Sequence, residues 1–87
     1  VDISAGKEFL YVVPEKLNVS ENLDETIIYF RSSAARNGAT FKIKVNGNEV
    51  LKKKYAFLRP PEMERLTFDF SQYGLENGGS VELSLED

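Results

Sequence analysis

Apolar and polar side chains alternate with a period of two residues in several short runs of this 87-residue chain. In the clearest run, Val81, Leu83 and Leu85 alternate with polar residues. Successive side chains of a β-strand point to opposite faces, so these three apolar residues share one face. The same period occurs in residues 41–46 and 66–70. The pattern predicts half-buried strands that pack as sheets around one core.

Two further segments have the composition of strands. Residues 9–13 are rich in β-branched and aromatic side chains, and Pro14, which cannot donate to a sheet, is expected to end this strand. Residues 26–32 carry apolar side chains on both faces over four positions, which predicts a central strand that is covered on at least part of each side. Residues 33–39 contain small side chains and an Asn-Gly pair, and are expected to form a loop.

A tight hairpin is predicted at Asn46-Gly47, which lies between two strand patterns. Asn-Gly favours a type I′ turn, because both central residues of that turn need a positive φ. The turn places opposite charges, and apolar side chains, across from each other. The expected facing pairs are Val45 with Asn48, Lys44 with Glu49, and Ile43 with Val50.

Strict alternation beyond that turn conflicts with the lysines of the second strand. It would direct Lys52 and Lys54 inward, where uncompensated ammonium groups are rare. A β-bulge within residues 51–54 is therefore expected, and it returns Tyr55 and Phe57 to the core.

These strands predict an all-β protein, an immunoglobulin-like or fibronectin-like antiparallel β-sandwich of six to eight strands. Residues 1–87 are expected to form a single domain, because a chain of this length builds one core. The chain begins with Val1 and a polar lead-in, from which we expect a fragment of a longer chain. The residues expected to be buried are Phe30, Phe41, Ile43, Leu66, Phe68, Val81 and Leu83.

Charge and composition narrow the classes of function. A net charge of −3 and a pI near 5.0 give no long-range attraction for polyanions, so neither nucleic acid nor a membrane is expected as a partner. No apolar run approaches the roughly 18 residues of a membrane span, and no signal peptide pattern occurs. Cysteine is absent, which favours a reducing compartment, and we expect a cytoplasmic location.

The residue types that carry most catalysis are missing. The chain has no His or Cys, so we expect no zinc, haem or copper site. For the same reason we expect no Ser-His or Cys-His catalytic pair. The acidic pair at 24–25 and the residues Glu62 and Glu64 lack the spacing of a calcium loop. Gly-Gly at 78–79 leads into a strand pattern rather than a helix, which disfavours a phosphate loop. We predict no catalytic, cofactor-binding or metal-binding residue in this domain.

The predicted hairpin carries a basic patch of Lys42, Lys44, Lys52, Lys53 and Lys54. One interpretation is a solvated sheet face whose lysines protect an edge strand from other chains. The other is docking against an acidic surface of a neighbouring domain.

The connection 58–64 follows that hairpin and contains Pro60 and Pro61, which fix φ at two positions. We expect it to be structural, with Met63 packed at the edge of the sandwich. The alternative is that it forms an interface together with the lysine-rich strand. The candidate interface residues are Lys52, Lys53, Lys54, Arg59, Glu62 and Met63.

Four segments, taken in order, resemble a known family. They are Tyr-Val-Val-Pro at 11–14, Thr-Ile-Ile-Tyr-Phe-Arg at 26–31, the lysine run 52–54 and the connection 58–64. This order is similar to the C-terminal region of clostridial-type FAD-dependent oxidoreductases of the pyridine nucleotide-disulfide oxidoreductase superfamily. The resemblance implies a bacterial flavoprotein as the parent chain, with FAD and NAD(P) held by its preceding domains.

The expected function is that of a non-catalytic accessory domain, structural or interacting, at the C-terminus of such an oxidoreductase. Its expected partners are the upstream domains of the same polypeptide, and a homo-oligomer is left open. The alternative is a stand-alone β-sandwich binding module of a bacterial surface or carbohydrate-active protein, for which exposed aromatic residues on one face would serve.

Overall fold

A computed structural model of the chain describes residues 1–18, 23–75 and 78–86. The described residues form two facing β-sheets and contain no α-helix. The seven strands are β1 (Ile3–Ala5), β2 (Phe9–Val13), β3 (Thr26–Ser32), β4 (Arg36–Val45), β5 (Asn48–Leu58), β6 (Glu64–Phe68) and β7 (Val81–Glu86). One sheet has the order β1-β7-β4-β5 and the other β2-β3-β6. The predicted β-sandwich of six to eight strands is confirmed.

The amino-terminal segment forms a strand that sequence analysis did not predict. β1 pairs with residues 81–83 of β7 in parallel, whereas the other paired strands are antiparallel, as expected. The Ile3 N–H also donates to the Glu15 carbonyl at 2.8 Å, and the Leu17 N–H donates to the Val1 carbonyl at 2.7 Å. This segment therefore closes one flank of the sandwich.

Strands β2 and β3 have the predicted bounds, and β3 is the central strand of its sheet. Pro14 follows the end of β2, joined by a cis peptide bond. The loop predicted for 33–39 is shorter than expected, because β4 already begins at Arg36. β5 continues to Leu58, so the start of β4 has a strand to pair with. The small residues at the start of β4 give no sequence signal for this pairing.

The predicted turn is present, with φ of 52° at Asn46 and 84° at Gly47. The two facing pairs next to it are also as expected, and the third differs. Ile43 pairs with Leu51, so Val50 is the extra residue of a bulge. The bulge therefore precedes the predicted segment 51–54.

This bulge determines which side chains of β5 point inward. Lys52 and Lys54 lie on the outer side, as the prediction required. The inner side consists of Leu51, Lys53, Tyr55 and Phe57. The predicted return to the core is wrong for Phe57, which is 62% exposed, and Tyr55 is only partly buried. The reason is that β5 is an edge strand of the four-stranded sheet, and the facing sheet has only three strands to cover it.

The core joins both sheets through phenylalanine rings. Phe30 of β3 stacks on Phe41 of β4 with ring centroids 4.8 Å apart, and Phe9 meets these rings edge-on at 5.5 and 6.1 Å. All seven residues predicted to be buried face this core, and Phe68 alone among them is only partly buried. Phe68 is the last residue of β6, where it packs on Phe70 and Tyr73 at the end of the sandwich.

Candidate functional site

The outer face of the four-stranded sheet carries paired charges. Its centre is Lys42 of β4, whose Nζ donates to Glu86 Oε2 at 2.8 Å and lies 3.5 Å from Glu49 Oε1. Lys44 faces Glu82 on one side and Glu49 on the other. Lysines and glutamates therefore lie close together on this face, where Lys52 of β5 is also a direct neighbour of Lys42.

The ion pairs of this face change the pKa values of their members. The hydrogen bond to Glu86 is the largest cause that raises the pKa of Lys42, and the same hydrogen bond lowers the pKa of the Glu86 carboxyl. Exposed pairs of this kind contribute little to stability. The arrangement is in keeping with a solvated face, the first interpretation of the basic patch.

The outer face of the three-stranded sheet has a different composition. Its outward residues are Tyr11, Val13, Ile27, Tyr29, Arg31, Arg65 and Thr67, which we name the tyrosine-arginine face. The strand register places Tyr11 beside Arg31 and Tyr29 between Val13 and Arg65. None of the outward positions described in these three strands is Asp or Glu. The face is aromatic, aliphatic and cationic.

Arg31 is held in place on this face. Its guanidinium carbon lies 5.4 Å from the centroid of the Tyr11 ring, a cation–π contact. Its Nε is buried and has no hydrogen-bond partner among the described residues. Val13, in contrast, is 46% exposed at the end of β2. A stacked arginine loses less side-chain freedom on binding than a mobile one, so the face is partly ordered in advance.

One sequence feature indicates the tyrosine-arginine face. It is the apolar run in β3, which places apolar side chains on both sides of that strand. Sequence analysis interpreted it as a strand covered on at least part of each side. Ile28 and Phe30 do point into the core, but Ile27 and Tyr29 point outward. In the part of the chain that the structure describes, no strand covers this second side.

The candidate interface residues predicted from the sequence do not share one surface. Lys52 and Lys54 point to the outer side of β5, whereas Lys53 lies on the inner side with its Nζ 5.0 Å from the centroid of the Tyr55 ring. The remaining three, Arg59, Glu62 and Met63, belong to the connection between β5 and β6. There the Glu62 N–H donates to the Arg59 carbonyl at 3.0 Å. Met63 is 47% exposed, so the packing expected for it at the sandwich edge is wrong.

The described residues lack two further features. They contain no group of three or more His, Cys, Asp or Glu side chains that could hold a metal ion. They also contain no helix with the length and apolar character needed to span a membrane.

Comparison of the chain with protein-family models, with curated proteins and with solved structures gave no match. The resemblance to flavin-dependent oxidoreductases therefore stays a prediction, as do the cofactors and the location that it implies.

Proposed function

We propose that this chain is a non-catalytic interaction domain that docks on a protein through its tyrosine-arginine face. The observation that carries this proposal is the contrast between the two outer faces. One has lysines and glutamates that neutralise each other, and the other has tyrosine, arginine and aliphatic side chains without an acidic residue.

The composition of the tyrosine-arginine face is that of protein interfaces. Tyrosine and arginine are enriched at the centre of such interfaces, and lysine and glutamate are depleted. Tyr29 lies in the middle strand with Val13 on one side and Arg65 on the other, so its ring is central to the face. A residue in that position has the surroundings of a binding hot spot.

The charge of the face indicates the chemistry of the partner. Arg31 and Arg65 each present a planar guanidinium group, which binds carboxylates with two parallel hydrogen bonds. The partner surface is therefore expected to carry aspartate or glutamate beside an apolar area.

The resemblance described above supports one choice of partner. Two of its segments, 11–14 and 26–31, include Tyr11, Tyr29 and Arg31 of this face. On this proposal the partner is the upstream part of the same polypeptide, a bacterial FAD-dependent oxidoreductase in the cytoplasm. FAD and NAD(P) are then held by that upstream part.

A carbohydrate-binding module is the second candidate function. Tyr11 and Tyr29 favour it, because both rings lie at the surface of one sheet, and the apolar faces of tyrosine rings pack against flat ligands. It shares the face with the first candidate, so the same variants test both.

The experiment titrates this chain with the separately produced upstream part of its own polypeptide and measures the affinity by calorimetry. We expect Arg31→Ala and Tyr29→Ala each to weaken binding by about tenfold or more, as hot-spot truncations do. Lys44→Ala, on the charged face of the other sheet, is the matched control and is expected to change the affinity less than about twofold.

Three results would contradict the proposal. Equal losses in the control and the face variants would remove the face from the interface. Saturable binding of FAD or NADH by this chain would contradict the accessory role. Binding of an oligosaccharide that is lost in Tyr29→Ala, without binding of the upstream part, would establish the carbohydrate-binding alternative instead.

A further inference from the structure

The flank of the sandwich between β5 and β6 is open. The opposite flank is closed by β1 and its hydrogen bonds to residues 15–17. On β4 the inward side chains from Ala39 to Val45 are all buried, but none of the inward side chains of β5 from Leu51 to Phe57 is. The wider sheet thus extends beyond β6, and a strand position beside β6 is vacant.

A groove occupies this vacant position. It has a volume of about 380 Å³ and is lined by Leu51 and Lys53 of β5 and by residues 65–67 of β6. β6 pairs with β3 on one side only, so the backbone N–H and C=O groups of its other edge are free to pair with an added strand. The groove therefore offers a free backbone edge on β6 opposite one apolar and one basic side chain on β5.

Tyr55 forms part of the inner wall of β5. Its ring meets Phe30 edge-on, with centroids 5.8 Å apart, and its Oη is buried without a hydrogen-bond partner among the described residues. The ring is only partly buried, so an added strand beside β6 would cover more of its surface.

We propose that an acidic, extended peptide segment of a partner binds in this groove as a fourth strand beside β6. The charge of the surroundings determines the acidic character. Lys53 and Arg65 line the groove, whereas Lys52 and Lys54 point to the other side of β5. Glu64 is the acidic residue of β6, and it lies at the start of the strand.

The register predicts the pattern of the bound segment. Arg65 points to the outer side of its sheet, so the residue beside it in an added strand also points outward and is expected to be acidic. The inward residues face Leu51, Lys53, Tyr55 and Phe57, and are expected to be mainly apolar. The groove shares Arg65 and Thr67 with the tyrosine-arginine face, and Lys53, which belongs to the groove alone, distinguishes this proposal from docking through that face.

The test uses a short peptide of alternating glutamate and valine as the probe, with its affinity measured by fluorescence anisotropy. Its controls are the same peptide with lysine for glutamate, and one with proline at alternate positions, which cannot pair as a strand. We expect the acidic peptide to bind and to shift the amide signals of residues 51–57 and 64–68 in NMR spectra. We expect neither control to bind.

Two charge reversals on adjacent residues of β5 locate the site. Lys53→Glu is expected to weaken binding by about tenfold or more, because it places a carboxylate in the groove. Lys52→Glu makes the same charge change on the other side of the strand and is expected to have less than about a threefold effect. Both residues are exposed, so both variants are expected to melt like the wild type.

Several outcomes would overturn the proposal: no binding of the acidic peptide, equal binding of the lysine peptide, or equal effects of the two reversals. Shifts confined to β1 and β7 would place the peptide on the other flank. Self-association of the chain that is blocked by Lys53→Glu, with no binding of the peptide, would make a second copy the occupant.

Discussion

Replacing Phe30 with alanine removes the ring on which the two sheets meet. Phe30 is fully buried, stacks on Phe41 and makes edge-on contacts with Phe9 and Tyr55. Truncation of a buried phenylalanine costs about 3–5 kcal/mol, and the three aromatic contacts of this ring place it in the upper part of that range. We therefore expect Phe30→Ala to lose about 4–5 kcal/mol of unfolding free energy.

That loss is large beside the stability of a domain of this size. A small domain unfolds with about 5–10 kcal/mol, so the variant retains almost none of its stability at the lower end of this range and about half at the upper end. At roughly 4–8 °C of melting temperature per kcal/mol, Phe30→Ala is expected to melt about 16–40 °C below the wild type.

The chain supplies its own controls. Phe57→Ala removes the same side chain from a position that is 62% exposed, and is expected to change the stability by less than about 0.5 kcal/mol. Phe68→Ala, at a partly buried ring, is expected to lie between the two. The assay is equilibrium unfolding in urea, followed by circular dichroism and by tyrosine fluorescence, since the chain has four tyrosines and no tryptophan.

The result that would refute this reasoning is specific. A loss below about 2 kcal/mol in Phe30→Ala, with an unchanged dependence on urea, would mean that the ring is not the centre of the core. A loss above about 1 kcal/mol in Phe57→Ala would mean that the inner side of β5 is covered after all.

Two further predictions concern a buried phenol and the hairpin turn. Burial, and secondly the charge of Glu64, raise the pKa of Tyr55 to about 12. An ultraviolet titration is therefore expected to show one tyrosine that ionises near this pH, and Tyr55→Phe is expected to lack it. Because the ordinary pKa of a tyrosine is 10.0, the folded state holds this proton more tightly than the unfolded state, and stability is expected to fall as the pH rises from about 10 to 12. A wild type and variant with identical titrations and alkaline melting curves would contradict this. At the turn, Asn46 Oδ1 accepts the Ser80 N–H at 2.9 Å, and Asn46 has a positive φ. Asn46→Gly loses only the acceptor and is expected to cost about 0.5–1 kcal/mol of stability in thermal unfolding. Asn46→Ala also strains the turn and is expected to cost about 1–2 kcal/mol. Equal costs of the two variants would assign the whole effect to the hydrogen bond.

The sequence by itself determined the strands whose side chains alternate and the turn that joins two of them. β2, β3 and β7 follow from their apolar runs, because the period of two is a property of the extended backbone. Asn46-Gly47 determined its turn because few other residues accept a positive φ twice in succession. The central phenylalanines follow from the same alternation, which assigns each side chain to one of two faces.

Only the tertiary structure decided what lies opposite each face. Residues 3–5 have no strand pattern, and they form β1 because β7 provides a free edge for them. Phe57 has the pattern of a core residue and is exposed because the facing sheet has only three strands. Tyr29 looked like one side of a covered strand and instead lies on an open face. Alternation is a local property of the chain, whereas the cover over a face depends on how many strands each sheet contains and where its edges lie.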